Sequence, residues 1–254
     1  MTVIHSYSIV HYGKDYINAA LQSVLPFVEQ AHIFYTPLPS HGQQSSVRPI
    51  ETSEEIQEEI KQLNTDKILW HNTSRLKYEG NQRDYAVKFC KDAGADIIIV
   101  LDYDEVWPVE TLQRALEIVE YGQGRNWLIN FTHLWRSFNH CCRDQGWPVR
   151  FIDLRVDDDS NGFIPKEAGD IYHFGYAITD KVMKYKWEIH GHKSEMRPGW
   201  LDNQWQQKPP VENCHPTNSR NEEDIGFWNT EPFDKYQLPE FVRQHKFWHL
   251  DKIK

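Results

Sequence analysis

Residues Ile97 to Leu101 read IIIVL and give way without a spacer to Asp102-Tyr103-Asp104-Glu105. Five consecutive large apolar residues leave no polar face, so they suit a strand covered on both sides, as at the centre of a largely parallel sheet. The preceding residues supply neighbours for that strand. Val3 to Val10 (VIHSYSIV) reads as a first strand, followed by a turn at Tyr12-Gly13-Lys14. Tyr16 to Val28 places Ile17, Ala20, Leu21, Val24 and Leu25 at helical spacing. Ala31 to Tyr35 reads as a second strand, Pro37 to Pro49 as a loop, and Glu51 to Leu63 as a charged helix with Thr52 or Ser53 as its N-cap. Lys67 to Trp70 reads as a third strand, and Asn81 to Ala93 as a helix ending at Gly94. This alternation predicts an α/β fold, an open and mostly parallel sheet with helices on both faces. Ligands in such sheets bind beyond the carboxyl ends of the strands, which is where the acidic cluster falls.

The second half is less regular. Val109 to Val119 reads as a helix, Trp127 to Leu134, Val149 to Val156 and Asp170 to Phe174 as strands, and Asp180 to Trp187 as a helix. Beyond Gly199 the periodicity is weak, and no internal repeat or clean domain boundary is visible. A single domain over 1–254 is expected.

Composition excludes some classes. At 254 residues and 39% hydrophobic content the chain can bury a sizeable core. A formal net charge of -9 argues against broad, nonspecific nucleic-acid binding, which needs a basic footprint. The four cysteines include no CxxC pair, and adjacent Cys141 and Cys142 make a poor disulfide unit, so reduced thiols and a cytoplasmic location are expected. Met1 to Val10 is too short and polar for a signal peptide, and no apolar run approaches a membrane span. The 10 tryptophans fall mostly after residue 106, and they suit either sugar faces or a packed core.

Asp102 and Asp104 flank one residue directly after the buried strand. Such carboxylates can converge on a hard cation, Mg2+ or Mn2+, whose shell is completed by phosphate oxygens and water. The same residues also suit a solvated acidic turn that caps the next helix. The wider context favours the metal. Glu79 to Trp107 (EGNQRDYAVKFCKDAGADIIIVLDYDEVW) resembles the central segment of family-2-like GT-A glycosyltransferases, in which a helix of the N-x-x-R type leads into a strand ending L-D-x-D-E. The opening SIVHYGKDYINAALQSVLPFVEQAHIFY resembles the start of that family, and His173-Phe174-Gly175-Tyr176 followed by Met183-Lys184-Tyr185-Lys186 resembles a later element of its bacterial members.

The resemblance implies a GT-A, Rossmann-like sheet with a mixed acceptor-side extension. Residues 1–107 would form the nucleotide-sugar-binding half and 108–254 the acceptor-side half. It implies a divalent cation held by Asp104 and His173, with Asp102 meeting the ribose or the metal through water. It also implies a nucleotide-sugar donor, a UDP-sugar being favoured, gripped by Arg83, Tyr103 and Lys186. The acid that usually holds the nucleobase after the second strand is missing here, so Tyr35, Thr36 or backbone groups near Ser8, Val10 and His11 are expected to take over. An inverting enzyme would need a base for the acceptor hydroxyl, with Asp202, in an aromatic and polar stretch, and Glu195 as the candidates beside Asp153 and Glu167; a retaining enzyme would need none. The acceptor is open among a glycan, a protein, a lipid-linked sugar and a modified nucleic-acid base. The competing readings are a metal-dependent nucleotidyl or phosphoryl transferase, disfavoured by the poverty of Gly and Arg in Val10 to Lys14, and a non-catalytic sugar-binding module. His190-Gly191-His192 and His140-Cys141-Cys142 lack a partner pair at zinc-ligand spacing.

Overall fold

The computed structural model describes residues 2–254 except 40, 42, 44, 47–49, 74–77, 144–146, 192 and 217–228. His192 and part of the Pro37 to Pro49 loop thus lie outside the described residues. The first half follows the expected alternation: β1 (Ile4–Val10), α1 (Ile17–Val24), β2 (Gln30–Tyr35), α2 (Ser53–Lys61), β3 (Ile68–Asn72), α3 (Glu79–Asp92) and β4 (Ile97–Val100). Thr52 caps α2 through a reciprocal pair, its hydroxyl accepting from Glu55 N and the Glu55 carboxylate accepting from Thr52 N. Next come β5 (Glu105–Val106), α4 (Val109–Tyr121), β6 (Asn126–Leu128), β7 (Phe131–Trp135), β8 (His140–Arg143), β9 (Val149–Asp153), β10 (Asn161–Phe163), β11 (Ile171–Tyr176), α5 (Asp180–Ile189), α6 (Trp200–Asn203) and β12 (Glu231–Pro232).

Two sheets form. The larger has the order β10-β6-β9-β4-β1-β2-β3, with β4, β1, β2 and β3 mutually parallel and β9 antiparallel to both β4 and β6. It is an open, mostly parallel sheet flanked by helices. On β4, Ile97 and Ile99 join the core under α1, α2 and α4, while Ile98 and Val100 join the layer under α3. That two-sided burial is the reason the strand carries no polar residue. The smaller sheet, β12-β8-β7-β11-β5, is mixed and has its own core, which includes Trp135, Phe174, Trp200 and Trp205.

One expected strand divides. Trp127 to Leu134 was expected to run unbroken, but β6 pairs with β9 in the larger sheet and β7 with β11 in the smaller one. The chain changes sheet at Ile129 and Asn130. Ile129 N still bonds Pro148 O, whereas Asn130 O already accepts from Ile171 N, and Asp170 then receives Asn130 Nδ2 at 3.1 Å and Thr132 Oγ1 at 2.8 Å. The tryptophans side with packing: Trp107, Trp135, Trp200 and Trp205 are essentially inaccessible. Among the described residues no helix is long and apolar enough to cross a membrane. All four cysteines are buried and none is in a disulfide.

Candidate active site at the end of β4

The acidic turn lies where β4 ends and the chain leaves the larger sheet. Leu101 N still bonds Tyr7 O, and Glu105 N then closes the turn on Asp102 O. β5 runs antiparallel to β11 with Glu105 opposite His173, and Phe174 N donates to Asp104 O at 2.7 Å. This short ladder brings Asp104 and His173 together across a long stretch of sequence.

The two aspartates face different partners. Asp102 Oδ2 accepts from Arg150 Nη2 at 2.7 Å, and Asp102 Oδ1 lies 3.7 Å from Arg83 Nη2. Burial works against ionisation there, but the pull of Arg150 and Arg83 exceeds it and holds Asp102 below the usual carboxylate range. Asp104 is 4% exposed, and its Oδ2 stands 3.6 Å from His173 Nε2 and 3.7 Å from Lys186 Nζ. Burial, opposed by Lys186 and reinforced by Asp102, raises the Asp104 carboxyl. Burial, with help from His133, Lys186 and Arg150, holds His173 well below the usual histidine range, so its imidazole is neutral. His173 Nδ1 meets His133 Nδ1 at 2.6 Å, which leaves Nε2 toward Asp104.

Two glycines allow this closeness. A Cβ on Gly175 would lie 2.3 Å from His173 Cε1 and 2.8 Å from Lys186 Nζ, whose ammonium donates to Gly175 O. Gly13 has φ +133, and a Cβ there would come within 2.2 Å of the Tyr103 ring. The Gly13 turn is fixed from below by buried Glu51, which accepts from Gly13 N at 2.6 Å and Lys14 N at 2.8 Å.

Beneath the turn is a buried ion pair. Arg150, on β9, donates from Nε to both Glu105 oxygens at 3.0 and 2.8 Å and from Nη2 to Oε1, while Glu105 is inaccessible to solvent. Burial, outweighing Arg150, pushes the Glu105 carboxyl up to about 8. Arg150 therefore braces the acidic turn and holds Asp102 at the same time.

A cavity of about 400 Å3 opens over these groups. Asp102, Tyr103, Asp104, His173 and Lys186 form one wall, and Arg83 with Glu79 and Gln82 of α3 form another. His11, Tyr12 and Thr36 close the end nearest β1 and β2. His11 is fixed through Thr36 O at 2.9 Å and the Tyr185 hydroxyl at 2.6 Å, so α5 contributes both Lys186 and the brace for His11.

Asp104 and His173 fit one divalent ion. A carboxylate oxygen and a neutral imidazole nitrogen 3.6 Å apart suit two metal bonds of about 2.1 Å each. Asp102 is occupied by two guanidinium groups, which suits an indirect contact better than direct ligation.

The other candidates from the sequence lie elsewhere. Ser8 and Val10 are buried in the larger sheet, and Tyr35 stacks on Trp70 at 5.2 Å; none of the three lines the cavity. Asp202 is exposed on α6, where its neighbour Trp200 is buried against Trp187 and Trp205 and so presents no face to a sugar. Glu195 is partly exposed in a one-turn helix, and like Asp202 it is not in the cavity wall. Sequence reading missed Arg150 and His133, and it placed Glu105 in the acidic cluster without its buried partner. The signal for Arg150 was a lone cation inside the otherwise apolar start of VRFIDLRV, which needs a buried acid to accept it.

No protein-family model matches the chain, and no curated protein matches it. Among solved structures, the inositol-1-phosphate CTP transferase from T. maritima is similar with a TM-score of 0.34 and 7% sequence identity, over 75% of this chain and 98% of that chain. A likeness of that degree carries no conclusion about activity.

Proposed function

We propose that the chain is a metal-dependent glycosyltransferase of the GT-A type that moves a sugar from a nucleotide-sugar, a UDP-sugar first among them, to an acceptor hydroxyl. The observation that carries this reading is the convergence of Asp104, His173, Lys186, Asp102 and Arg83 on one cavity at the carboxyl end of the parallel strands. The resemblance of Glu79 to Trp107 and of His173 to Lys186 to family-2-like members supports it.

Asp104 and His173 would hold Mn2+ or Mg2+, and the ion would supply charge stabilisation for the departing diphosphate. Lys186 sits beside Asp104 as its present counter-charge and can turn its ammonium toward phosphate oxygens. Arg83, fixed by Glu79 at 2.9 Å, presents a fork suited to the diphosphate or a base carbonyl. Asp102 is oriented by Arg150 to accept from a ribose hydroxyl. Tyr12 packs edge to face against both Tyr103 and Tyr185 and, with Tyr103, would offer an aromatic edge to the donor sugar.

The experiment is nucleoside diphosphate release from a panel of nucleotide-sugars with Mn2+. Slow hydrolysis of at least one donor is expected, with Asp104→Ala reducing it by about 100-fold or more, as for loss of a principal electrostatic group. Failure of every nucleotide-sugar to turn over or stabilise the protein with metal present would end this reading. Pyrophosphate release from a nucleoside triphosphate plus a sugar phosphate would replace it with nucleotidyl transfer.

A further inference from the structure

We propose that His5, His32 and Cys90 form a second metal site, buried between the larger sheet and α3, which takes a borderline ion such as Zn2+. It is independent of the cavity at β4 and does not rest on the glycosyltransferase reading.

Among the described residues, these three are a group whose ligand atoms all lie within 4.8 Å of one another. They come from β1, β2 and α3, and their exposures are 2%, 0% and 0%. The neighbouring positions of that layer are Tyr7, Phe34, Ala86, Ile98 and Val100, so two imidazoles and a thiol stand where an apolar core would be cheaper.

The geometry matches ligation. His5 Nδ1 and His32 Nε2 are 3.1 Å apart, the spacing of two nitrogens on one ion with bonds of about 2.0–2.1 Å. The opposite ring nitrogen of His32, Nδ1, lies 3.2 Å from His71 Nε2. With Nδ1–H donating to His71, the His32 tautomer leaves Nε2 free for a metal, the outer-shell arrangement usual for ligating histidines. Cys90 Sγ completes the group from the facing helix, and no hydrogen bond engages it among the described residues. Burial keeps that thiol protonated, up to about 12, until an ion displaces the proton. On binding, the Cys90 S–H bond breaks, a sulfur–metal bond forms and one proton leaves to solvent. Thiolate with imidazole selects Zn2+ or Co2+ over Mg2+ and Mn2+, the reverse of the oxygen-rich cavity at Asp104.

The test is titration of metal-stripped protein with Co2+, followed by thiolate-to-cobalt absorption in the near ultraviolet. One equivalent should develop the band, Zn2+ should abolish it, and excess Mn2+ should leave it. The band should vanish in Cys90→Ala and persist in Asp104→Ala. Zn2+ should raise the Tm of the wild type and leave that of Cys90→Ala unchanged. If Cys90→Ala does not fold, Cys90→Ser replaces it, and the wild-type titration decides by itself. No band and no Tm shift in the wild type would overturn the site and leave a hydrogen-bonded imidazole chain. A band surviving in Cys90→Ala would also overturn it, assigning the thiolate to Cys141, Cys142 or Cys214.

Discussion

Replacing Arg150 with Met tests how the acidic turn is held. Arg150 is 6% exposed and Glu105 0%, and Arg150 makes two contacts from Nε to Glu105, with a further contact to Asp102 at 2.7 Å. Without the guanidinium, the Glu105 carboxylate keeps the Asp102 N–H at 3.3 Å. Its carboxyl must then either bury an unpaired charge or take up a proton. Breaking a buried pair on one side costs about 3–5 kcal/mol, a large share of a typical domain stability of about 5–15 kcal/mol. Urea unfolding at pH 8 should report a loss in that range. The sign with pH follows from Glu105. Burial already raises its carboxyl, and the variant loses the opposing pull of Arg150, so the folded form binds a proton that the unfolded form does not. Stability of the variant should therefore improve as pH falls through its further raised value, and its deficit against the wild type should shrink as pH falls toward about 8 and stay level below that. The double variant Arg150→Met/Glu105→Leu should recover more than half of the single loss, since neither charge is then stranded. A single-variant cost under about 1 kcal/mol, or a double variant as unstable as the sum of the two singles, would refute the bracing role.

Gly175→Ala should lower donor turnover by about tenfold or more with a small stability loss, because its methyl would force His173 and Lys186 apart by the clash at 2.3 and 2.8 Å; steady-state kinetics beside Tm separates the two effects. His32 is held down to about 4, and His5, His71 and His173 are also lowered, in each case mainly by burial. In the metal-stripped protein the histidines' contribution should thus be complete above about pH 6.5 and be lost as pH falls from there toward about 4, at up to about 1.4 kcal/mol per pH unit for each proton taken up only on unfolding, opposed in part by the raised carboxyls of Glu105 and Asp104. An unfolding midpoint flat across that window would contradict the buried neutral imidazoles. Thr52→Ala should remove the α2 capping box and cost about 1 kcal/mol in chemical denaturation, with no effect on donor hydrolysis.

The first half of the fold was legible because its signals are local. IIIVL suits a strand covered on both faces, and α1 before it carries one apolar stripe. The placement of Asp102 and Asp104 followed from that strand alone. Two kinds of feature were not legible. The change of sheet at Ile129 and Asn130 hides inside a run whose residues all suit a strand, and only Asp170, far along the chain, marks the break. The partner of Arg150 is 45 residues away, so no periodicity announces it. His133 was hidden for the same reason, since its role exists only through the β7–β11 register that sets it opposite His173. Asp202 attracted notice through neighbouring aromatics, and those turned inward: a tryptophan in sequence does not say which side of the surface it occupies.

The two-residue ladder between β5 and β11 has a kinetic meaning. Asp104 follows the end of β4 in the larger sheet and His173 lies on β11 of the smaller one, and their pairing joins residues 69 positions apart. Closure of such a loop is entropically unfavourable until both sheets exist to reward it. The Asp104–His173 contact should therefore be among the last made in folding and among the first lost in partial unfolding. A folding intermediate with only the parallel sheet in place would carry both aspartates and lack their histidine, so the cavity over them would form only when the second sheet docks.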